Sequence, residues 1–342
     1  MNFGLFTDIF VREGMTQAEA FTEALDEIET IEQLGMDEIW LAEHHFNPQR
    51  GLATSPLVIA SAVAARTSRI RIGLGVQVLP LANPLRLAEE AAIVDQISQG
   101  RLDFGVGRSG FRKTYQSYNI DYANSRDMFL ESLEVIKAAW TEEHFSHEGE
   151  YFTFHDANVT PKPYQQPYPP IPIAAQSADS FPLAGRLGHP ILIRATGDIS
   201  RIQEGMSKYW EARQEAGFTG PEDVILRIAT YVAETEEKAV NEPKASVRHL
   251  LDIVSGEQLL YAGDQSTADL VRRMASLPYE DYVQSRCMFG TPESVTEQLQ
   301  ILIDRLGITG LMMEMNYGGQ VPQERVMNSV RMFMDEVAPN FN

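Results

Sequence analysis

Residues 39–46 read Ile39-Trp40-Leu41-Ala42-Glu43-His44-His45-Phe46, an apolar run that ends at a carboxylate and two histidines. The run predicts a buried strand, and its polar end places titratable groups at the edge of a sheet. Because adjacent residues of a strand point to opposite faces, His44 and His45 cannot share one role. We expect one to face a pocket and the other to pack behind it. The alternative is a strand that merely ends in polar residues, since histidine often has a structural role.

Apolar runs of strand length recur along the chain and alternate with helical patterns. The predicted strands are residues 2–7, 37–43, 70–79, 101–106, 171–175, 190–194, 224–233 and 310–315. Strong helix starts lie between them, among them the capping box Thr16-Gln17-Ala18-Glu19 and the pair Asn83-Pro84. Strands that are each followed by a helix predict an α/β fold. A (β/α)8 TIM barrel fits this alternation better than a doubly wound sheet does.

The length of the chain predicts insertions in this barrel. The chain has 342 residues, more than the roughly 250 that are typical of the fold. Two stretches, 142–170 and 255–290, absorb the excess. We expect a single domain over residues 1–342, with both stretches inserted at the carboxyl-terminal face, around the barrel mouth. Loops of this length are uncommon unless they act as lids or binding loops.

Composition and charge narrow the functional classes. The formal net charge is −20, and no basic cluster offsets it, so we expect no nucleic-acid partner. No apolar run approaches the roughly 18–20 residues that cross a bilayer, so we expect no membrane partner. The first residues lack the pattern of a secretion signal. Cys287 is the single cysteine, which fits a reducing compartment, and we expect a soluble cytoplasmic protein.

The histidines do not form a recognisable metal site. A metal needs three or more convergent ligands, and the contiguous residues 43–45 are not spaced along a helix face. His144 and His147 lie in a predicted loop without a clear third ligand. We therefore expect no catalytic metal. The nucleophile elbow of serine hydrolases is absent from the sequence as well.

Polar residues at other predicted strand ends indicate where an anion can bind. Arg108 lies between a glycine and a serine after the fourth strand, and its guanidinium suits a phosphate. Gln176, Ser177 and Ser180 lie at the start of the short helix after the fifth strand, where free N–H groups favour an anion. Together the two loops form a candidate phosphate clamp. Pairing of Arg108 with an acid and plain helix capping by Ser177 or Asp179 are the alternatives.

Glycines mark the end of the third predicted strand, which reads Gly73-Leu74-Gly75-Val76. Because glycine lets a ligand approach the backbone closely, a flat aromatic ligand can lie against such a surface. A tight strand end explains the same pattern equally well, and the residues alone do not choose between these two interpretations.

Several short stretches carry a family resemblance. They are Asn2-Phe3-Gly4, residues 40–46, Val78-Leu79-Pro80 with Asn83-Pro84 and Arg86, residues 95–101, residues 104–108, Asn124-Ser125-Arg126, and Gly290-Thr291-Pro292-Glu293. In order and spacing they resemble the bacterial luciferase-like family of flavin-dependent monooxygenases, and the luciferase α-chain branch in particular. The resemblance covers nearly the whole chain, and it implies the same barrel as the strand pattern.

The resemblance implies a two-component enzyme that receives reduced FMN from a separate NAD(P)H:flavin reductase. In this family the reduced flavin reacts with O2 to a flavin hydroperoxide, which inserts one oxygen atom into a small organic substrate and releases the other as water. The flavin carries the redox chemistry, while the protein orients it and excludes bulk water. The resemblance also implies that the subunits pair, and we expect a homodimer.

Individual residues take roles from the resemblance. His44 stands at the position of the catalytic histidine, an acid/base at the flavin. Arg108 and residues 176–180 stand at the phosphate-binding positions. Gly75-Val76 stands where the family has a non-proline cis peptide beneath the flavin ring. These assignments make His44 the expected catalytic residue and the others the expected cofactor-binding residues.

Three positions differ from the light-emitting α chains. Gly107 replaces a reactive cysteine, Gln176 replaces a glutamate, and Arg194 replaces a tryptophan beside the flavin ring. The stretch 255–290 also does not match the luciferase lid. We therefore do not extend light emission or long-chain aldehyde specificity to this chain. We expect Arg194 to bind at the cofactor, where it can pair with an anionic flavin or with a carboxylate of the substrate.

Aromatic residues near the predicted strand ends are candidates for a substrate pocket, namely Phe6, Phe46, Phe111 and Tyr115. They indicate an apolar substrate body and do not distinguish an aldehyde, ketone, amine or thioether. Two other functions stay open. One is a related barrel that transfers hydride with a deazaflavin and consumes no oxygen. The other is a non-catalytic flavin-binding relative.

Overall fold

The structure, a computed structural model, describes residues 1–195, 199–260 and 276–341, together with Asp269 and Arg272. Its strands are β1 (Asn2–Thr7), β2 (Glu38–Leu41), β3 (Arg71–Leu74), β4 (Gln77–Val78), β5 (Leu102–Asp103), β6 (Val106–Gly107), β7 (Phe145–Glu148), β8 (Thr153–Ala157), β9 (Ile173–Ala175), β10 (Ile191–Arg194), β11 (Val224–Val232), β12 (Cys287–Gly290) and β13 (Gly310–Glu314). All of them except β7 and β8 belong to one parallel sheet.

Helices connect the strands. They are α1 (Gln17–Gln33), α2 (Pro56–Arg66), α3 (Pro84–Ser98), α4 (Arg112–Ser117), α5 (Ser125–Thr141), α6 (Ser180–Leu187), α7 (Ile199–Glu215), α8 (Glu236–Asn241), α9 (Lys244–Leu260), α10 (Tyr279–Arg286), α11 (Pro292–Leu306) and α12 (Gln323–Met332). A π-helical turn, Phe333–Val337, follows α12. Within the described residues, no helix combines the length and the apolar character that a bilayer crossing requires.

The parallel strands close into a barrel. Strand pairing runs β4-β6-β9-β10-β11-β13-β1-β2-β3-β5. β3 and β4 are pieces of one strand on either side of Gly75-Val76, and β5 and β6 are pieces of the next strand. Since β3 pairs with β5 and β4 pairs with β6, both ends of this order belong to the same two neighbouring strands, and the ring closes. The predicted TIM barrel is confirmed.

Helices α1 and α3 begin where the sequence signals predict. Thr16 accepts a hydrogen bond from the backbone N–H of Glu19, and the Glu19 carboxylate accepts one from the backbone N–H of Thr16 at 2.7 Å. The Asn83 side chain accepts from the backbone N–H groups of Leu85 and Arg86. Such caps each stabilise a helix by about 1 kcal/mol. Local chemistry therefore fixes the start of two helices that pack on the barrel.

One large side chain, Trp40, fills the barrel between three neighbouring strands. The indole is fully buried, and a Cβ atom on Gly73 of β3 or on Gly4 of β1 would lie 2.2 or 2.8 Å from it. The indole Nε1 donates to the carboxylate of Glu38 at 2.8 Å. Burial raises the pKa of Glu38 to about 7. Glycines on both sides of β2 thus make room for the tryptophan.

The stretch 142–170 corrects the sequence-based expectation. It contains the antiparallel hairpin of β7 and β8 and then returns to β9. Lys162 Nζ donates to the carbonyls of Ala139 and Glu142 at the end of α5. Because α5 runs away from the carboxyl-terminal face, a segment between α5 and β9 lies at the amino-terminal end of the barrel. This insertion is therefore not at the mouth.

The stretch 255–290 is described in part, at 255–260, at Asp269 and Arg272, and from residue 276 onwards. Its last part forms α10 and β12, and β12 pairs in parallel with the carboxyl-terminal half of β11. This part extends the sheet instead of forming a loop. Cys287 at the start of β12 is buried, and burial raises the pKa of its thiol. The remainder of the expected lid lies outside the described residues.

Candidate active site

His44 and Asp8 form the centre of the site. Asp8 directly follows β1 and His44 lies in the loop after β2, so both are at the carboxyl-terminal end of the barrel. Asp8 Oδ1 lies 2.8 Å from His44 Nε2, although the two atoms are not aligned for a hydrogen bond. The rings of His44 and Phe111 meet edge to face at 6.0 Å between centroids. The imidazole is thus held between a carboxylate and an aromatic ring.

Burial sets the protonation states of this pair. Burial lowers the pKa of His44 to about 4, and the positive charge of Arg50 acts in the same direction. Burial alone would raise the pKa of Asp8, but His44, Arg227 and Arg50 outweigh it and lower that pKa to about 2. At neutral pH the site therefore holds an anionic carboxylate beside a neutral imidazole. A neutral imidazole can accept a proton, as a general base must.

The neighbouring histidine, His45, belongs to a different network, as the alternation along the strand predicts. His45 Nε2 lies 2.9 Å from the carboxylate of Glu43. The same carboxylate accepts hydrogen bonds from the Gln77 side chain at 2.6 Å and from the backbone N–H of Val78 at 2.8 Å. The Tyr118 hydroxyl lies 3.3 Å from His45 Nδ1. His45 and Glu43 therefore hold the chain just after the break between β3 and β4.

The break between β3 and β4 is a cis peptide bond between Gly75 and Val76, at the position where the resemblance implies one. A Cβ atom on Gly75 would lie 3.2 Å from the ring of Phe6. A Cβ atom on Gly107 of β6 would lie 2.6 Å from the Val76 side chain. The absence of a side chain at Gly75 and Gly107 therefore lets Phe6 and the Val76 side chain pack closely against the backbone at this point.

A cavity of about 220 Å³ lies between the loops after β6 and β9. Its polar lining residues are Arg108, Arg126, Ser177, Asp179 and Ser180. The structure thus brings together the arginine and the two serines of the predicted clamp, and it adds a second arginine from α5. The carboxylate of Asp179 offsets part of this positive charge. The cavity has the donors that a phosphate group requires.

The serines at the start of α6 bind the surrounding backbone. Ser180 Oγ donates to the carbonyl of Ser177 at 2.6 Å and accepts from the backbone N–H of Gln176 at 2.9 Å. Both serines line the cavity, whereas the N-cap residue Asp179 makes no capping hydrogen bond through its side chain and Ser177 Oγ donates to Ser180 Oγ. Gln176 is exposed and does not line this cavity. Gln176 contributes to the predicted clamp through the hydrogen bond that its backbone N–H donates to Ser180 Oγ.

Arg194 ends β10 and joins a chain of polar groups. Its Nε lies 4.0 Å from the carboxylate of Glu314, and its Nη2 donates to the Tyr317 hydroxyl at 3.5 Å. That hydroxyl lies 2.8 Å from the hydroxyl of Tyr282. Arg227 of β11 pairs with the same carboxylate. Two arginines thus share one buried glutamate at the carboxyl-terminal end of the barrel.

The four aromatic candidates have different places. Phe111 lies against His44, and Phe6 lies beneath the glycine of the cis peptide. Phe46 is 49% exposed, and its ring contacts the outer histidine at position 45. Tyr115 is fully buried and donates its hydroxyl to a main-chain carbonyl after β6. The expectation that Phe46 and Tyr115 line a pocket with the other two is corrected, because both support neighbouring loops.

Three residues of the site are missing from the sequence-based prediction. Asp8 directly follows a predicted strand, so the strand-end argument that selects His44 could have selected it too. Arg126 lies in one of the stretches of the family resemblance. Arg50 has no such signal, because its burial depends on Phe111 from another loop. Among the residues with described positions, no cluster of His, Cys, Asp or Glu side chains can hold a metal ion.

Comparison with known protein families identifies relatives of this chain. The family model described as luciferase-like monooxygenase matches residues 1–310 of this chain. The chain belongs to this family. Its members among characterised proteins include flavin-dependent oxygenase components, and this luciferase-like monooxygenase is accordingly a flavin-dependent enzyme.

Named relatives of this luciferase-like monooxygenase match along its whole length. The alkanal monooxygenase alpha chain of Photorhabdus luminescens is 26% identical, over 99% of this chain and 96% of that one. The oxygenase component of flavin-dependent trigonelline monooxygenase from Acinetobacter baylyi is 28% identical, over 100% and 96%. Limonene 1,2-monooxygenase of Rhodococcus erythropolis is 26% identical, over 100% and 87%.

Solved structures share the barrel of this luciferase-like monooxygenase. The monooxygenase RslO1 from Streptomyces bottropensis has a TM-score of 0.83 at 25% identity, with both chains covered completely. The oxygenating constituent of 3,6-diketocamphane monooxygenase from Pseudomonas putida, in complex with FMN, has a TM-score of 0.84 at 22% identity, over 100% and 99%. A coenzyme F420-dependent reductase from Methanopyrus kandleri reaches 0.77 at 20%, over 100% and 99%. The fold alone therefore does not choose between the two cofactors.

Proposed function

We propose that this enzyme binds FMN, reduced by a separate NAD(P)H:flavin reductase, and uses it with O2 to oxygenate a small organic substrate. The observation that carries the proposal is the presence of two sites at one end of the barrel. One is the cavity of Arg108 and Arg126, and the other is the centre of His44 and Asp8. The trigonelline monooxygenase relative is itself the oxygenase component of a larger system, which supports a separate reductase.

The lining of the cavity fits the phosphate of FMN. Two guanidinium groups and two hydroxyls surround about 220 Å³, and guanidinium groups bind phosphate through paired hydrogen bonds. Gly107 also lines this cavity, and it lies against Val76 of the cis peptide. A phosphate and a flat ring of one ligand therefore have adjacent surfaces of suited chemistry.

Each residue has a distinct task in this proposal. Bound reduced FMN supplies the electrons for the reduction of O2. Arg108 and Arg126 would bind its phosphate, while the backbone of Gly75-Val76 would support its ring. His44, neutral and held beside Asp8, would accept a proton at the reacting centre and return it. The aromatic rings beside His44 would exclude bulk water.

A comparison of FMN with riboflavin, which lacks the phosphate, tests the cavity. Quenching of flavin fluorescence gives the Kd of both ligands for wild type, Arg108→Gln and the matched control Arg186→Gln, an exposed arginine at the end of α6. We expect Arg108→Gln to weaken FMN at least tenfold and to leave riboflavin within twofold. The control should change neither ligand. An equal loss for both flavins would refute the assignment of the phosphate to this cavity.

A deazaflavin-dependent oxidoreductase is the second candidate, and the likeness to the F420-dependent reductase favours it. Photoreduced FMN mixed with air-saturated buffer separates the two functions. For the monooxygenase, we expect the protein to change the rate of FMN reoxidation and of hydrogen peroxide release, and His44→Ala to alter both rates. Reoxidation at the rate of free FMN would support the deazaflavin enzyme or a non-catalytic flavin-binding protein.

We also propose that two copies pair through α2 and α3. Val58 of α2 and Ile93 and Ile97 of α3 are 67%, 42% and 47% exposed. Apolar side chains that cluster on a surface often mark an interface between proteins. Sedimentation velocity at micromolar concentration should give a dimer for wild type and a monomer for Ile97→Lys. A monomeric wild type would exclude this arrangement.

A further inference from the structure

A buried arginine beside the catalytic centre lacks the partners that a charge normally has. Arg50 lies in the loop after β2 and is 7% exposed. Its guanidinium carbon lies 4.5 Å from the centroid of Phe111, the ring that also contacts His44. Its Nε and Nη1 are inaccessible and have no hydrogen-bond acceptor among the described residues. Arg50, Phe111 and His44 line one cavity of about 10 Å³, room for about one water molecule.

A second buried arginine, Arg213, differs from Arg50 in one respect. Arg213 is 6% exposed and lies 5.5 Å from the ring of Phe218, and its Nε and Nη1 also have no hydrogen-bond acceptor among the described residues, but its Nη2 pairs with the carboxylate of Glu222 at 2.6 Å. In the part of the chain that has been placed, no carboxylate comes within 4.0 Å of the Arg50 nitrogens. A buried donor without an acceptor destabilises a fold, and it does so more strongly when it is charged. Such a cost is expected where a ligand supplies the acceptor.

Within the described residues, the charged groups that act most strongly on Arg50 do not balance. These groups are Asp8, Arg194, Arg227 and Glu314. Three guanidinium groups thus share two carboxylates, because His44 is neutral at pH 7. Arg227 and Arg194 both lie at Glu314, and Asp8 lies at His44. One positive charge is left over, and it falls on Arg50, in a chain whose net charge is −20.

We propose that Arg50 binds a carboxylate of the substrate, and that the apolar body of the same molecule packs on Phe111 next to His44. This inference rests on the proposed function and narrows its substrate to small organic acids. The planar guanidinium fork suits a carboxylate, with which it forms two parallel hydrogen bonds. The phosphate of FMN has its own arginines in the other cavity, so it does not account for Arg50.

Benzoate and benzamide test this site, because they have the same shape and differ in charge. Calorimetric titration into wild type, with and without saturating FMN, should show benzoate binding at least tenfold more tightly than benzamide. Arg50→Gln should bind both probes equally and keep its FMN affinity within twofold. Arg213→Gln is the matched control, because Arg213 is also buried against a phenylalanine ring. This variant should keep the preference for benzoate.

The outcomes separate this inference from the proposed function. Equal binding of both probes by wild type, or an unchanged preference in Arg50→Gln, would overturn the carboxylate site. So would a loss of reduced-FMN affinity in Arg50→Gln without a loss of the benzoate preference, because Arg50 would then serve the flavin. Failure of FMN to bind would count against the proposed function alone, since the probes are also titrated without it.

A second variant is available if circular dichroism shows that Arg50→Gln is unfolded. Arg50→Lys lacks the guanidinium fork and should bind benzoate about fivefold more weakly than wild type. Undiminished benzoate binding by Arg50→Lys would overturn the site.

Discussion

Two clusters of charged side chains lie at opposite ends of neighbouring strands and differ in how fully their polar atoms are paired. The amino-end cluster consists of Arg71, Arg101 and Asp103. The carboxyl-end cluster consists of Asp8, His44 and Arg50. The amino-end cluster is the more exposed of the two, with the Arg71 side chain 34% exposed, and the clusters also differ in their partners.

The amino-end cluster is saturated with hydrogen bonds. Arg71 donates from Nε and Nη2 to the two carboxylate oxygens of Asp103, at 2.8 and 2.6 Å. Arg101 donates to the carbonyls of Ile70 and Ala64 at 2.9 and 3.0 Å. These contacts join the start of β3 to the start of β5 and to the end of α2. Their geometry leaves no donor available to a ligand, and the cluster stabilises the fold.

The carboxyl-end cluster has polar atoms without such partners. Asp8 Oδ1 and His44 Nε2 contact each other at 2.8 Å, and two Arg50 nitrogens are buried without a hydrogen-bond acceptor among the described residues. At this end of a TIM barrel the active site is found. In these two clusters, incomplete pairing coincides with the end of the barrel where the active site lies, although, in the described part of the chain, unpaired nitrogens also occur at Arg213.

The largest expected effect comes from a substitution in the carboxyl-end cluster. His44→Ala should lower the oxygenation of any substrate that wild type turns over by 10²–10⁴-fold, the usual contribution of a general acid/base (about 3–5 kcal/mol). Steady-state kinetics with reduced FMN measures it. His144→Ala, an exposed histidine of the hairpin, is the control and should stay within twofold. Full activity in His44→Ala would remove the catalytic role of this residue.

Among the substitutions, the second-largest expected effect comes from one in the amino-end cluster. Asp103→Ala leaves Arg71 without its carboxylate and should lower the free energy of unfolding by about 2 kcal/mol, the usual contribution of hydrogen bonds between charged groups when one partner is partly exposed to water. Urea unfolding measures the loss. The FMN affinity of the folded variant should stay within twofold. Glu90→Ala, which breaks a helix-surface pair with Arg86, should cost less than about 0.5 kcal/mol. Similar losses in the two variants would contradict the comparison.

A pH titration sharpens the comparison further. Because the pKa of His44 is about 4 in the folded protein and 6.5 in an exposed imidazole, the unfolded chain binds this proton first as the pH falls. The free energy of unfolding should therefore decline between pH 6.5 and 4, by on the order of 3 kcal/mol for this one group. His44→Gln should show a smaller decline over the same range. The buried His189, with a pKa also lowered to about 4, contributes equally to both proteins, and identical curves would argue against a neutral, buried His44.

The smallest expected effect concerns the two phenylalanines that the structure separates. Phe46→Ala should change turnover less than twofold and the free energy of unfolding by less than about 0.5 kcal/mol, since its side chain is half exposed. Phe111→Ala should raise the KM for substrate severalfold, because it removes the ring between His44 and Arg50. Paired kinetics of the two variants measure this. A larger change for Phe46→Ala would return that residue to the substrate pocket.

The fold could be predicted because its signals are local. Apolar runs gave the barrel strands, and caps such as Thr16 gave the helix starts, since both depend on neighbouring residues. The place of the stretch 142–170 was predicted wrongly, because an excess of length does not say which end of the barrel receives it. The order of elements does say so, since a segment between a helix and the next strand lies at the amino-terminal end.

The site could be predicted only where a residue acts through its own position on a strand. His44, Arg108, Ser177 and Arg194 follow or end strands, and the structure has them at the carboxyl-terminal end. Arg50 could not be found this way. Its burial results from the packing of two loops that are distant in sequence, and its missing partners are a property of three-dimensional contacts. The roles of His44, Arg108, Ser177 and Arg194 in binding and catalysis stay predictions.

The single cysteine of the chain has a practical consequence for spectroscopy. Cys287 is 7% exposed in β12, and burial raises the pKa of its thiol, so maleimides at neutral pH leave it unmodified in the folded protein. Ser117→Cys, on the exposed side of α4 near Phe111, would then be the one reactive thiol. A dye attached there reports ligand arrival in real time, and no native residue has to be removed first to obtain a clean label.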